Sequence, residues 1–454
     1  MSIGTREQQS EIKPARAPGG LPVLSEHSLL RYCSFTALYV AQGLPYGLLH
    51  IAVPAWMAER GLGTAEIGTY LAIIFLPWSL KLINGPIMDR FTYLPMGRRR
   101  PWILASQLGL LISFVAFAFV PDPMQSLYLM SAMGFTVNFF AAFQDVGVDG
   151  LAIDVLPAEQ QPRANSFMWG GKQIGISGAA AGGGYLLTQY GFDTSIMVLA
   201  VLLAVIVMFP LLFRERPGER MLPWTNGVAS EISKKMQLGN WGTIIRSLFK
   251  VFLLPASLFT TSAVFVFNMG VGMSNALLPV VLIQELSWTQ LAFDEIMALA
   301  GLVAGVAGMV FGATVVHYLG RVRSIVFGIV ALIALTGAMG FLQAYWTQTI
   351  TVNVFVIVHY ILRVIITIAF FATAMVLCWK RVAATQFGLY MALSNLGDAT
   401  GSALTGPLDT FLEYHHIFFA MSLTGIIMLA LLAFIDLDKH QSRIDALEQS
   451  GGEP

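Results

Sequence analysis

The chain has 454 residues, of which 56% are hydrophobic and 11% are charged, and its 26 basic and 26 acidic side chains leave no net charge. A soluble domain normally carries about 25% charged residues, so this composition excludes a soluble globular protein. The two cysteines are too few for a disulfide framework or a metal site. The composition therefore indicates a membrane protein.

Apolar runs of about 20 residues or more, each long enough to span a bilayer, follow one another along the chain and are separated by short polar turns. We predict an all-α integral membrane protein with twelve transmembrane helices. The predicted helices lie near residues 31–58, 65–88, 101–121, 125–153, 164–189, 194–213, 250–283, 294–316, 322–343, 349–378, 384–411 and 414–436.

The basic residues predict the orientation of these helices. All but four of the 26 lysines and arginines lie in the two tails, at one set of helix ends or in the even-numbered connections, as in RRR at 98–100. By the positive-inside rule both termini are cytoplasmic. Residues 1–28 contain no apolar core followed by a cleavage site, so we predict a disordered cytoplasmic tail rather than a signal peptide.

The longest polar break divides the helices six and six. We predict an N-terminal six-helix bundle at 29–213, a cytoplasmic linker at 214–249, a C-terminal six-helix bundle at 250–437 and a cytoplasmic tail at 438–454. The halves resemble each other in sequence, since GPIMDR in the first half has an echo in GATVVH in the second, and GGKQIGISG has one in ALSNLGDAT. This duplication predicts two pseudo-symmetric bundles that rock around a site at the membrane midplane.

The connection between helices two and three carries a recognisable motif. It reads G-x-x-x-D-R at 85–90, then FTYLPM at 91–96 and GRRR at 97–100. This resembles the signature of the major facilitator superfamily, with a longer insert than usual. The insert, QDVGVDG at 144–150 and the following segment DVLPAE at 154–159 resemble the branch that contains AmpG-type muropeptide permeases and acetyl-CoA transporters.

The charges of this motif suggest a gate at the cytoplasmic helix ends. An aspartate there can accept hydrogen bonds from a neighbouring helix N-terminus, and the arginines can pair with acids of the next loop. We expect these contacts to form only when the inner ends of the helices meet, so that they latch the outward-open state. Alternatively, the arginines only anchor the loop to anionic lipid. The gating candidates are Asp89, Arg90, Arg98, Arg99, Asp154 and Glu159.

Asp145 and Asp149 are four residues apart and therefore share one helical face. Each charge at bilayer depth costs about 2.5 to 3.5 kcal/mol, so this face must line a cavity or meet a cation. Lys81 and Lys172 lie at comparable predicted depths, and we expect Asp145 to pair with Lys172. Such carboxylates can carry a coupling proton; alternatively, they form a permanent ion pair. In the AmpG-like permeases, the matching acids are implicated in transport.

The second half places Arg363 and Asp398 inside predicted helices. His359 shares a helical face with Arg363, and Asn395 lies one turn before Asp398. A fixed positive charge among hydrogen-bond donors suits a carboxylate or phosphate on a solute. Alternatively, Arg363 and Asp398 form an internal salt bridge. Further candidates for substrate contact are Gln42, Tyr46 and Gln144, beside Lys81 and Lys172.

Together these features predict a secondary active transporter that imports a polar, anionic organic solute by proton symport with alternating access. A nucleotide-binding GxxxxGK[ST] sequence is absent, which argues against an ATP-driven pump. By resemblance, the solute is a muropeptide, a siderophore-like chelate or a CoA-type conjugate. The competing hypothesis is a non-transporting scaffold of the same fold that binds a pigment or a partner protein.

The remaining expectations concern partners and location. We predict a multi-pass monomer in a bacterial inner membrane, in contact with lipid, a small solute and protons. We expect no enzymatic activity, no cofactor, no metal and no nucleic-acid partner.

Overall fold

The computed structural model describes residues 22–156, 160–235, 242, 249–308, 318–378 and 383–450, and for a few helical residues within these ranges only the backbone. Twelve long helices account for most of this part of the chain. Six belong to the first half: α1 at Ser28–Gly47, which continues through a π-helical turn at Leu48–Ala52 and a last segment at Val53–Glu59; α2 at Thr64–Ser79 and Lys81–Arg90; α3 at Arg100–Ala118; α4 at Leu127–Val155; α5 at Gln161–Tyr190; and α6 at Phe192–Leu212.

The second half repeats this arrangement after a short helix at Glu231–Lys235. Its helices are α7 at Pro255–Val280 with a π-helical turn at Val281–Glu285, α8 at Gln290–Ala307, α9 at Arg321–Phe341, α10 at Thr349–Leu377, α11 at Ala383–Asp409 and α12 at Tyr414–Leu432, followed by an amphipathic helix α13 at Leu437–Ser450.

The prediction of twelve membrane helices in two bundles is confirmed. Eight of the helices are long and apolar enough to cross a membrane by length and composition alone: α3, α4, α6, α7, α8, α9, α10 and α12. The other four, α1, α2, α5 and α11, are interrupted or rich in glycine and polar residues. Because polar groups in a membrane interior are costly, these four helices are where a polar site is expected.

Two predicted boundaries need correction. Residues 22–27 are not part of a disordered tail, because Leu24 is buried and the backbone N–H groups of Leu24 and Ser25 donate to the carbonyls of Arg214 and Glu215, both at 2.9 Å. Helix α8 begins at Gln290 rather than near residue 294, because the Thr289 side chain accepts a hydrogen bond from the backbone N–H of Ala292 and caps the helix.

The two halves meet at one end of the bundle. We call the end that carries Arg98, Arg99 and Arg100 the basic end, and the other the opposite end. One large apolar cluster at the opposite end draws on both halves, with Trp56 and Ile67 from the first and Leu277 and Ala300 from the second. At the basic end, each half has an apolar cluster of its own. The halves are therefore joined at the opposite end and separate at the basic end.

Hydrogen bonds between described residues of the two halves follow the same pattern. The Thr64 hydroxyl donates to Asp409 at 2.6 Å, and the Gln284 amide donates to the carbonyls of Ala58 and Leu62 at 2.9 and 2.7 Å. Nearer the middle of the bundle, the Ser177 hydroxyl of α5 donates to a carbonyl of α8 at 3.2 Å. These contacts close the opposite end.

Candidate functional site

A buried ion pair joins α2 and α4 near the middle of the first half. The Lys81 ammonium group donates to the Asp145 carboxylate, and the two side chains are only 10% and 5% exposed. Lys81 begins the second segment of α2, directly after a break that follows Pro77, and its ammonium lies 4.7 Å from the centre of the Trp78 ring. The sequence-predicted partner of Asp145, Lys172, is thus replaced by Lys81.

Asp149 has a different environment, although it lies one turn from Asp145 on the same face. Its carboxylate accepts a hydrogen bond from the Tyr39 hydroxyl of α1, a neutral donor, and its side chain is accessible. Lys172 of α5 faces two indole rings, 5.5 Å from the centre of Trp78 and 5.3 Å from that of Trp169. The two acids of α4 therefore differ: one is held by a cation, and the other is accessible and held by a hydroxyl.

The second half contributes a hydrogen-bonded chain rather than a direct salt bridge. The Arg363 guanidinium donates to the Asn275 side-chain oxygen at 3.4 Å, and the Asn275 amide donates to Asp398 at 3.1 Å. Arg363 also lies over the Tyr360 ring at 5.0 Å. The sequence interpretation missed Asn275, whose signal was an amide inside the apolar run of α7. The alternative of a direct contact between Arg363 and Asp398 is corrected to a bridge through this amide.

The charges of the two halves share one central region. Tyr46 of α1 is close enough to Arg363 and Asp398 to interact with both electrostatically. The Asn395 amide of α11 donates to the carbonyl of Trp78 in α2 at 3.1 Å. The Trp78 carbonyl thus contacts the second half, and the Trp78 ring lies beside Lys81. A movement of one half relative to the other would therefore displace Trp78 next to the ion pair.

Besides Asp398, three of the predicted solute contacts are buried in the structure. The Gln144 amide donates to the Leu38 carbonyl at 2.8 Å and joins α4 to α1, so it serves helix packing. His359 is 1% exposed and stacks on Phe355. Gln42 is fully buried beside Asp145 and interacts with its carboxylate, although neither amide atom makes a hydrogen bond of good geometry with a described residue.

The sequence interpretation also missed a polar cluster behind Trp78. The Trp78 ring N–H donates to the Asn138 side-chain oxygen at 2.7 Å, and a ring nitrogen of His50 lies 3.1 Å from the same oxygen. His50 belongs to the π-helical turn of α1 and stacks on Tyr46. Turns of this kind are frequent at functional sites, and here the turn links the Tyr46 side of the site to Trp78.

A second charged cluster lies at the basic end. Asp154 accepts hydrogen bonds from Arg98 at 3.1 Å and Arg99 at 3.2 Å, as predicted. The prediction that this pairing forms only when the ends of the two halves meet is wrong, because both partners belong to the first half and pair while the halves are apart at this end. The side chain of Asp89 and residue Glu159 lie outside the described part of the structure, and Arg90 is exposed.

The start of the linker completes this cluster through Glu215, which the sequence interpretation did not single out. Its carboxylate accepts the backbone N–H groups of Arg98 at 2.9 Å, Arg99 at 2.7 Å and Arg100. Gly97 has a φ of 104°, and a Cβ atom there would overlap the carboxylate, so only glycine fits. Burial raises the pKa of Glu215, and the three N–H groups oppose the shift.

A cavity of about 640 Å³ lies at the opposite end of the bundle. Its lining belongs to the second half alone, with Glu285, Trp346, Asp409 and Glu413 among the residues. It contains none of the central charges, so we do not assign it to the solute.

The sequence profile of the Major Facilitator Superfamily matches residues 35–402. The chain therefore belongs to this superfamily of membrane transporters, and it is not an enzyme.

Among proteins of known name, the anhydromuropeptide permease of Escherichia coli strain K12 is 27% identical over 384 residues, which cover 83% of this chain and 73% of the permease. Putative transporter AmpG 4 of Rickettsia felis is 26% identical over 424 residues, which cover 88% of this chain and 95% of that protein, so the predicted resemblance to the AmpG-type branch is confirmed. Among solved structures, a point mutant of the nucleoside transporter NupG superposes with a TM-score of 0.64 at 14% identity, and the match covers 89% of this chain and 100% of that one. At this identity, the likeness supports the fold alone.

Proposed function

We propose that this transporter imports a polar, anionic organic solute together with a proton. The E. coli relative is named for anhydromuropeptides, so a sugar–peptide conjugate that carries carboxylates is the first solute to test. We propose further that both termini face the cytoplasm, since the basic residues cluster at their end of the bundle, and that the membrane is a bacterial inner membrane.

The charge balance of the central site carries this proposal. With every group ionised, Lys81, Lys172 and Arg363 offset three carboxylates, those of Asp145, Asp149 and Asp398. A bound anion adds one negative charge, and an uncompensated charge in a low-dielectric interior costs several kcal/mol. A proton on one carboxylate restores the balance. Binding of the anion and binding of the proton therefore favour each other.

Asp149 is the carboxylate best suited to carry this proton. Asp145 is held by the ammonium group of Lys81, so its ionised form is compensated at short range. Asp149 has a neutral hydroxyl as its partner and is accessible. It also lies one turn nearer the basic end than Asp145 does. A proton bound at Asp149 would therefore leave toward the basic end, which in the proposed orientation is the cytoplasm.

The shape of the bundle is consistent with alternating access. The opposite end is closed by an apolar cluster shared between the halves, whereas each half keeps its own cluster at the basic end. In the proposed orientation, this is an inward-facing state. Import then requires the seam at the opposite end to open and the two basic-end clusters to approach each other.

Uptake by proteoliposomes tests the proposal. Asn keeps the size of Asp but does not ionise, so Asp149→Asn should abolish the accumulation of radiolabelled anhydromuropeptide that an inward proton gradient drives. Exchange of solute across the membrane should persist, because exchange does not require the empty carrier to return. Asp145→Asn should lose accumulation as well, but it also leaves Lys81 unpaired.

The matched control is Asp193→Asn, which alters an exposed acid at the start of α6 and should transport normally. If both Asp149→Asn and Asp145→Asn still concentrate solute in response to the gradient, the acids of α4 are structural. The proton site would then have to be sought elsewhere, with Asp398 as the next residue to change.

A further inference from the structure

Asp294 is a buried acid that lies away from the central charges, in the second turn of α8. Its side chain is 0% exposed. One carboxylate oxygen accepts a hydrogen bond of 3.3 Å from the Gln290 amide, and the other has no partner among the described residues. The side-chain oxygen of Gln290 is likewise without a partner there. A proton bound to the Asp294 carboxylate would supply the donor that these two oxygens lack.

Asp294 lies where α8 of the second half packs against α5 of the first half, and we call this contact at the opposite end the seam. Helix α5 of the first half presents Gly184 directly to its carboxylate, and a Cβ atom at Gly184 would overlap that carboxylate. One face of α5 therefore covers the acid, so a separation of α5 from α8 would expose it to water. The next contact along the seam is the hydrogen bond from Ser177 to the carbonyl of Ala298.

In the described part of the chain, the charges around Asp294 do not compensate an ionised carboxylate. The nearest charged neighbour from α1 is Glu59, itself an acid, which pairs with Arg60 at 3.8 Å. The end of α7 contributes Glu285, and α8 itself carries the adjacent Glu295; both are acids and both are exposed.

Among the described residues, the remaining neighbours of α8 place no cation beside Asp294. Tyr185, which follows Gly184 on α5, is exposed, and His50 of the π-helical turn faces Asn138. On α10 the ionisable groups are His359, Tyr360 and Arg363, close in sequence to Val364, which lies beside Gly308 at the far end of α8. On α5, Lys172 lies twelve residues before Gly184, about 18 Å along the helix.

We propose that Asp294 binds a proton when the seam at the opposite end closes and releases it when that seam opens. A desolvated carboxylate without a cation costs several kcal/mol, whereas a neutral carboxyl group can donate to the Gln290 side-chain oxygen. Closure is therefore favoured by a proton taken from the opposite side of the membrane. This inference goes beyond the proposed symport. The proton on Asp294 returns to the side it came from when the seam opens again, so Asp294 makes closure of this end depend on pH, whereas the proton that crosses the membrane is the one proposed at Asp149.

The equilibrium between the closed and open forms of the opposite end should therefore depend on pH. The closed form binds the proton more tightly than the open form, so raising the pH favours the open form. The closed-to-open ratio should fall by up to about tenfold per pH unit while Asp294 is ionised in the open form and protonated in the closed one.

Distance measurements between spin labels at the opposite end test the inference. Labels at Gln189→Cys and Thr347→Cys, one exposed position in each half, are placed in a variant that lacks Cys33 and Cys378. In lipid nanodiscs, the short-distance population should shrink as the pH rises from about 5 to 8. Asp294→Asn should hold the short distance at every pH, and Asp294→Ser, which also cannot ionise, should lose the same pH response.

Two outcomes overturn the inference: a pH response that survives in both Asp294 variants, or no response in the parent protein. The Asp149→Asn variant separates this inference from the proposed function. It should lose proton-driven uptake, but the distance between the two labels at the opposite end should still depend on pH. If the response depends on Asp294 but uptake by the parent protein does not depend on the proton gradient, the proposed symport fails and the gate stands.

Discussion

The ion pair between Lys81 and Asp145 makes a quantitative prediction. Removing one partner of a buried pair leaves the other charge uncompensated, which costs about 3 to 5 kcal/mol. The unfolding entropy of folded proteins is about 2.1 cal/mol/K per residue, or about 1 kcal/mol per degree for a chain of this length. The variant Lys81→Met should therefore lower the midpoint of thermal unfolding by about 3 to 5 °C.

Two further variants decide whether the charge is the cause. In Lys81→Met with Asp145→Leu, both charges are gone, and the midpoint should return to within about 2 °C of the parent protein; the residual loss reflects the contact of Lys81 with Trp78. Lys234→Met is the matched control, because the pair of Lys234 and Glu231 is 51% and 78% exposed and should contribute less than about 1 kcal/mol. Fluorescence-monitored unfolding of the purified protein measures all three. The reasoning is refuted if Lys81→Met behaves like Lys234→Met, or if the double variant is no more stable than Lys81→Met.

Two other predictions concern the linker. In a variant without the native cysteines, Val228→Cys should be shielded from impermeant thiol reagents outside intact cells while Thr347→Cys is labelled; ready external labelling at residue 228 would invert the proposed orientation. Burial, and next the charge of Glu215, raises the pKa of Glu219 from its ordinary value of 4.5 to about 8. The folded form then binds more protons than the unfolded form between these values, so thermal stability falls as the pH rises across this range. Glu219→Gln should reduce this dependence, and an unchanged pH profile would show that Glu219 ionises normally.

Glu219 lies outside the membrane, where the linker folds back on the first half. Its carboxylate accepts the backbone N–H of Arg216 at 2.9 Å, and the Arg216 guanidinium in turn donates to the carbonyl of Asp154. The Arg100 guanidinium donates to the carbonyls of Pro210 and Arg220. The linker is thus attached to the arginines of the signature motif. This suggests a role for these arginines that differs from the predicted latch: they hold the linker to the first bundle.

The sequence by itself was sufficient to predict the helices, the shared face of the two acids of α4 and the superfamily. Apolar runs of membrane-spanning length predicted the helices, because backbone groups in a bilayer must be satisfied within the segment. The spacing of Asp145 and Asp149 placed them on one face, because a helix repeats every 3.6 residues. The signature residues identified the superfamily. The start of α8 was missed because a capping threonine, rather than an apolar residue, determines where that helix begins.

Only the tertiary structure decided which groups meet. Lys81 and Lys172 have similar depths in the sequence, but helix rotation and the break in α2 bring Lys81 alone into contact with Asp145. Asn275 enters the site because α7 and α11 lie against each other, and Glu215 reaches the arginines because the linker turns back. Asp294 becomes a buried acid only because α5 of the other half covers it. Such contacts join residues distant in the chain, and their geometry is determined by the packing of whole helices, which local sequence spacing does not encode.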